Sequence, residues 1–287
     1  MPVYDLAYRR TSFDRKIGGG LWAVARRSLR TSLRSRWTKI LFALGWIPAL
    51  GACAFLYIQS GALAGFGPPG GRSFHFQPNQ YHLLLNWSRF FLLVFAVAVG
   101  SGAIAEDRRH YAFELYFSRP LTSLEYVGGK FLALVGLLFA ITGLPALFVW
   151  LFDASLVPEG EPSRFGETAD LLPRLGGYGL VLSAATALFV LAFSANSRSG
   201  RHAAIFFAIF FVLSQPVAEM LGQITGSDAV RALGYWRCFE AISREVFELP
   251  RGFHGPPFRA AAAVLLAACA LAAFALRSAV RPTRVVR

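Results

Sequence analysis

Six stretches of nearly unbroken apolar sequence, roughly 40–58, 88–105, 131–152, 177–195, 203–222 and 260–276, decide what this chain can fold into. A hydrocarbon layer of about 30 Å needs about 20 apolar residues in helical form. Within lipid, every backbone N–H and C=O must be paired inside its own segment, so runs of this length are helices. The fold class is therefore all-α: a polytopic membrane protein of six transmembrane helices. Hydrophobic residues make up 55% of the 287. The polar remainder is short loops, with no room for a separate soluble domain.

The formal net charge is +13, which in a soluble chain would suggest nucleic acid. Its distribution points elsewhere. With the N-terminus placed inside, 20 of the 29 Lys and Arg fall in the inner segments 1–39, 106–130, 196–202 and 277–287. Those segments carry 6 of the 16 acids, which leaves the inner side at +14 and the outer at −1. The positive-inside rule then puts both termini in the cytoplasm. The basic excess reads as topology and attraction to lipid headgroups, with no nucleic-acid partner. The organisation follows: a cytoplasmic N-terminal segment, 1–39, and one six-span domain, 40–287.

Few chemistries fit. Cys53, Cys238 and Cys269 form no CxxC pair and no outer disulfide. Leu50-Gly51-Ala52-Cys53 has the look of a lipoprotein box, but the charged region before it is far longer than that of a signal peptide. His75 and His82 share the first outer loop (59–87) without an acidic neighbour, so a metal site is not expected. The second outer loop, about 153–176, is acidic but lacks the regular ligand spacing of a calcium site. Gly129-Lys130 is followed by Phe131 rather than Ser or Thr, so there is no phosphate-cradling Walker loop. HExxH and GxSxG are absent as well. No Asp, Glu, Lys or Arg is expected near the middle of a span, where ion-coupled carriers place their working charge. Asn196 and the span serines are expected to bond between helices. Pro48, Pro145 and Pro216 permit kinks.

Two amphipathic segments flank the spans. In 21–37, Trp22, Ala25, Leu29, Leu33 and Trp37 recur at helical spacing, while Arg26, Arg27, Arg30, Arg34 and Arg36 fill the other faces. This predicts a basic helix lying in the headgroup plane. In the third outer segment, Asp228 can cap a helix start. A stripe of Val230, Leu233, Trp236, Phe239, Ile242, Val246 and Leu249 follows, with Pro250 at its end. It predicts an amphipathic helix, or a bent pair, on the outer leaflet or on the ends of its own spans.

Between the second and third apolar runs the chain reads AEDRRHYAFELYFSRPLTSLEYVGGK, Ala105 to Lys130. Glu106-Asp107-Arg108-Arg109 takes it out of the membrane. A short helix is expected over 110–118, stopped by Pro120, which restrains Arg119 to an extended conformation. Thr122 and Glu125 have the spacing of a capping box opening the next helix. Phe113, Leu115, Tyr116 and Phe117 on so short a stub need a cover, which a partner's groove would supply.

That passage resembles the second-to-third-span signature of ABC transporter permeases of the type-2 export class. Glu106 and Arg108 match its entry; Ala112, Glu114, Leu115, Ser118, Pro120, Glu125, Gly129 and Lys130 match its body. The Ser-Arg-Pro form is similar to the subgroup containing the permease of nitrous-oxide reductase copper-site maturation. Tyr111 stands where glycine is frequent, and Phe113 where leucine is usual. The resemblance implies a coupling helix that docks in a cleft of a separate ABC ATPase, carried by Glu106, Arg108, Ala112, Glu114, Leu115, Tyr116, Ser118, Arg119 and Pro120. It implies that the 21–37 helix is an elbow that touches the same partner. It implies a second permease subunit, identical or not, and a bacterial cytoplasmic membrane. This chain would bind no cofactor and perform no catalysis; ATP and magnesium would sit in the partner ATPase. Membrane lipid is a further partner, and the outer loops could meet an extracytoplasmic protein. The competing readings are a membrane assembly or anchoring factor that moves nothing, and a secondary carrier.

Overall fold

The structure, a computed structural model, describes residues 19–59, 76–110, 121–156, 165–166, 168–252 and 255–280. Every regular element among them is helical, and six helices are long and apolar enough to cross a membrane. Helix α1 (Gly19–Arg34) precedes them. Span 1 is α2 (Arg36–Gly45) with α3 (Ile47–Gln59); span 2 runs from α4 (Pro78–Phe95) to α5 (Gly102–Arg109). Spans 3, 4 and 5 are α6 (Ser123–Ser155), α7 (Leu171–Asn196) and α8 (Gly200–Thr225). A 3₁₀ turn (Asp228–Leu233) and α9 (Tyr235–Val246) lead to span 6, α10 (Phe258–Ala279).

The three prolines act differently. Pro48 lacks an N–H and its ring crowds the carbonyl one turn back, so α2 and α3 part at Trp46. The Trp46 indole N–H donates to the Ala140 carbonyl at 3.1 Å and ties the break to span 3. Helices α6 and α8 run uninterrupted through Pro145 and Pro216.

Spans 3 and 4 are the core of the bundle: 61% and 72% of their central windows are buried, against 11% for spans 5 and 6. Two glycines let them meet. A Cβ on Gly179 would lie 2.8 Å from the Gly143 Cα, and beside this approach the hydroxyls of Thr142 and Ser183 pair at 3.1 Å. Small residues and hydroxyls are what membrane helices use to pack closely. Gly179→Val therefore collides first with the Gly143 backbone, which cannot turn aside. It should lower the unfolding midpoint in detergent by the equivalent of about 3 kcal/mol. Gly136→Ala on the same span 3, where nothing lies within 4 Å of the new methyl, should leave the midpoint unchanged.

Span 2 departs from its predicted limits. The helix begins at Pro78, ten residues ahead of the expected 88, with a capping box between Gln77 and Gln80. Residues 78–87 are amphipathic rather than uniformly apolar, so average hydropathy conceals them: Tyr81, Leu84 and Leu85 are buried while Leu83 and Trp87 stay exposed. The longer helix brings Arg89 inside, at 0% exposure. The expectation that spans carry charge only near their ends needs that correction. Further along, Ala96–Gly100 widens to a π turn. The Ser194 hydroxyl of span 4 accepts from the N–H groups of Ile104 and Ala105, both at 3.0 Å, just past that turn. Asn196, expected to bond between helices, instead donates to Ala192 of its own helix.

The segment between spans 5 and 6 is a bent pair broken at Gly234, and it does not lie flat on the ends of the bundle. The Tyr235 N–H donates to the Ser214 hydroxyl at 3.4 Å, and its phenol pairs with Thr186 at 2.6 Å. From Gly200 to Ser214 is about 21 Å along α8, and the whole helix is about 39 Å long. The start of α9 thus reaches nearly half-way down span 5. Its buried face is Tyr235, Cys238, Phe239 and Ile242; Leu233 of the predicted stripe is 52% exposed. The helix ends at Val246, four residues before Pro250, where Glu248 takes a left-handed φ of 55°.

Arg89 holds this descending segment. Its guanidinium donates to the Tyr178 phenol oxygen at 2.6 Å and to the Trp236 carbonyl at 3.3 Å, with the rings of both residues within 6 Å. The Tyr178 hydroxyl in turn donates to the Phe239 carbonyl at 3.1 Å. His82 and Ser243, both buried, pair at 2.7 Å. Nearer the loop, Glu219 of span 5 receives Arg237 at 2.7 Å and Arg231 at 3.4 Å, and Arg231 also pairs with Asp228.

Candidate functional site

The candidate site is the base from which residues 111–120 leave and return. That stretch, and with it Ala112, Glu114, Leu115, Tyr116, Ser118, Arg119 and Pro120, lies outside the described residues, as does the expected 110–118 helix. Both flanks are described. Helix α5 ends at Arg109. Helix α6 opens at Ser123 with the capping box that the Thr-x-x-Glu spacing predicts. The Glu125 N–H donates to the Thr122 hydroxyl oxygen at 3.2 Å, and the Thr122 N–H donates to the Glu125 carboxylate at 2.8 Å. Two backbone donors that the helix start would leave unpaired are satisfied together.

The flanks are clamped to one another. The Lys130 ammonium lies 2.9 Å from the Asp107 carboxylate, and the fully buried Tyr126 donates its phenol proton to the same carboxylate at 2.5 Å. Lys130 also stands 5.7 Å from the Tyr126 ring centre. Tyr126 and Lys130 are one helical turn apart, so a single face of α6 presents both to α5. Sequence reasoning passed over Asp107 and Tyr126. Their signal is the i, i+4 spacing of Tyr126 and Lys130 opposite an acid at the end of the preceding span.

Of the expected docking residues, Glu106 and Arg108 are described. Arg108 reaches span 6: its guanidinium donates to the Ala279 carbonyl at 2.9 Å, in the last turn of that helix. A cation there satisfies an orphan carbonyl and complements the negative end of the helix dipole. Glu106 is 43% exposed, 3.6 Å from His110. Its carboxylate also lies against Gly200, the first residue of α8, where the dipole favours a negative charge. The ends of spans 2, 3, 5 and 6 therefore meet around α5.

Helix α1 rests on the same base. A Cβ on Gly129 would lie 2.7 Å from the Leu21 carbonyl and 2.7 Å from Val24, and one on Gly128 would lie 3.2 Å from Leu21. The Gly-Gly-Lys run thus has two jobs: its glycines seat α1, and its lysine holds α5. The predicted stripe of α1 divides. Ala25 is buried and Leu29 half-buried, whereas Trp22, Leu33 and Trp37 stay exposed, and Val24 joins the buried face. Arg26, Arg27, Arg30 and Arg34 are all exposed.

No protein-family description matches this sequence, and no curated protein matches it.

Proposed function

We propose that this chain is the membrane-spanning permease subunit of an ATP-driven exporter of the type-2 ABC class. In this reading the basic ends of the spans face the cytoplasm and residues 111–120 dock in a cleft of a separate ATPase. The observation that carries it is the Asp107–Lys130–Tyr126 clamp beneath that passage. A stub on a flexible loop would absorb a push from outside. A stub whose two flanks are tied together passes the push to spans 2 and 3 at once. Arg108 extends the connection to span 6, and Glu106 extends it to span 5. The free energy comes from ATP and magnesium in the partner; this chain turns displacement into a path across the membrane. A second permease subunit completes the path, beside the apolar faces that spans 1, 5 and 6 leave exposed. Helix α1, with its exposed arginines and tryptophan, is the elbow in the headgroup plane.

Leu115→Asp tests the docking directly, because a charge in an apolar groove cannot be solvated there. Reconstituted with an ABC ATPase that co-purifies with the parent chain, the variant should insert and purify normally but lose the ATPase stimulation that the parent confers. Glu114→Lys should do the same. Stimulation unchanged in both variants removes residues 111–120 as the contact.

A further inference from the structure

A cavity of about 580 Å³ opens between α1, span 1, α5 and the start of span 3. Its size is that of a small-molecule site, about 300–1,000 Å³. Its two ends differ in chemistry. The deeper wall is apolar: Ala98, Val99, Leu134 and Leu137. Toward the basic end it is lined by α1 and the α1–α2 junction, where the hydroxyls of Ser28, Ser32 and Thr38 carry no hydrogen-bond partner among the described residues. Four charged side chains border it: Arg27, Lys130, Glu106 and Asp107.

Two of these charges cancel, since Lys130 and Asp107 pair at 2.9 Å. That leaves one cation, Arg27, with no ion-pair partner among the described residues, and one anion, Glu106, which has His110 at 3.6 Å and the start of α8 beside it but a side chain still 43% exposed. An unpaired cation and a partly exposed carboxylate beside an apolar wall match a headgroup that carries both signs. A purely anionic headgroup would face Glu106 unfavourably.

We infer that this cavity binds a phospholipid with a primary-ammonium zwitterionic headgroup, of the phosphatidylethanolamine class. Arg27 and the α1 hydroxyls hold its phosphate, Glu106 accepts from its ammonium, and the acyl chains pass along Val99 and Leu134. Guanidinium and hydroxyl groups are ordinary phosphate partners, and an ammonium supplies three N–H donors to a carboxylate. The chains exceed the cavity and continue into the surrounding bilayer. The lipid would thus sit between the elbow and the base of the 111–120 passage. The inference requires that the chain lie in a bilayer; it does not require an ATPase partner.

Native mass spectrometry of the full chain in detergent tests this. The chain is titrated with phosphatidylethanolamine, phosphatidylcholine and phosphatidylglycerol carrying identical acyl chains. Phosphatidylethanolamine should fill one site at about tenfold lower concentration than phosphatidylcholine, whose methylated ammonium has no N–H to donate. Arg27→Ala, an exposed position, should weaken that binding about tenfold. Glu106→Gln should erase the preference over phosphatidylcholine. Ala98→Phe should lower occupancy by filling the wall with no change of charge. Equal occupancy by the three lipids overturns the assignment, as does a preference for phosphatidylglycerol. So does phosphatidylethanolamine binding that neither Arg27→Ala nor Ala98→Phe alters. Loss of ATPase coupling is not read in this experiment, so its outcome is independent of the proposed transport role.

Discussion

Asp107→Ala will uncouple the two flanks of the 111–120 passage and cost about 3 kcal/mol of stability, the scale of breaking a sheltered ion pair by removing one partner. The argument rests on what is left behind. Lys130, whose side chain is 14% exposed, loses its carboxylate at 2.9 Å, and the fully buried Tyr126 loses the acceptor for its phenol proton. Tyr126 cannot recover that loss from water without moving, and Lys130 can do so only through the cavity that it borders. Thermal unfolding in detergent should show a lower midpoint for Asp107→Ala and for Lys130→Ala. In the double variant the penalty should fall short of the sum by about 1–2 kcal/mol, since residues in direct contact do not act additively. Stimulated ATPase activity should fall with the clamp even though residues 111–120 are untouched. Full stimulation in all three variants would mean that the clamp is a packing feature only.

Arg89 yields the second large effect, and there the competing terms can be separated. Its side chain is among the largest that are fully buried. Arg89→Ala should cost about 3–5 kcal/mol, the range for truncating a large core side chain, because the space cannot collapse between Tyr178 and Trp236. Arg89→Met keeps most of the volume. It loses two charge-assisted hydrogen bonds and the contact with two aromatic faces, but it also removes the burial of a cation whose hydrogen-bond partners among the described residues are a carbonyl and a phenol. Those terms are of similar size and opposite sign, so Arg89→Met should lie within about 1 kcal/mol of the parent. The Tyr178 bond to the Phe239 carbonyl survives in both variants. Equal and large losses for alanine and methionine would show that the hydrogen bonds, not the volume, hold α9 in the bundle.

What could be read beforehand divides along physical lines. All six spans were visible because a membrane helix must be apolar over most of the hydrocarbon thickness. The start of α6 was visible because a capping box uses two residues at fixed spacing. The first turns of span 2 were not, because Asn79, Gln80, His82 and Asn86 lower their mean hydropathy, although His82 is itself buried beside Tyr81, Leu84 and Leu85. The stripe over 230–249 announced helix, yet its depth was hidden. Amphipathicity reports that one face is covered, not whether lipid surface or neighbouring spans cover it. Tyr235 and Cys238 lie on the covered face because spans 4, 5 and 6 supply the polar partners: Thr186, Ser214 and the Ala261 carbonyl. The Asp107–Lys130 pair was hidden for another reason. Its members are brought together only by the return of the chain through 111–120, and no periodicity within one helix encodes that.

In the proposed exporter the passage between spans 2 and 3 stands on the cytoplasmic side, where a motor can reach it. Cysteine labelling at position 114 tests it. Glu114→Cys is placed in a chain whose Cys53, Cys238 and Cys269 are replaced by alanine, and intact cells are treated with a membrane-impermeant maleimide. No labelling is expected until the membrane is permeabilised; labelling of intact cells would place the stub on the far side of the membrane, out of reach of any cytoplasmic motor.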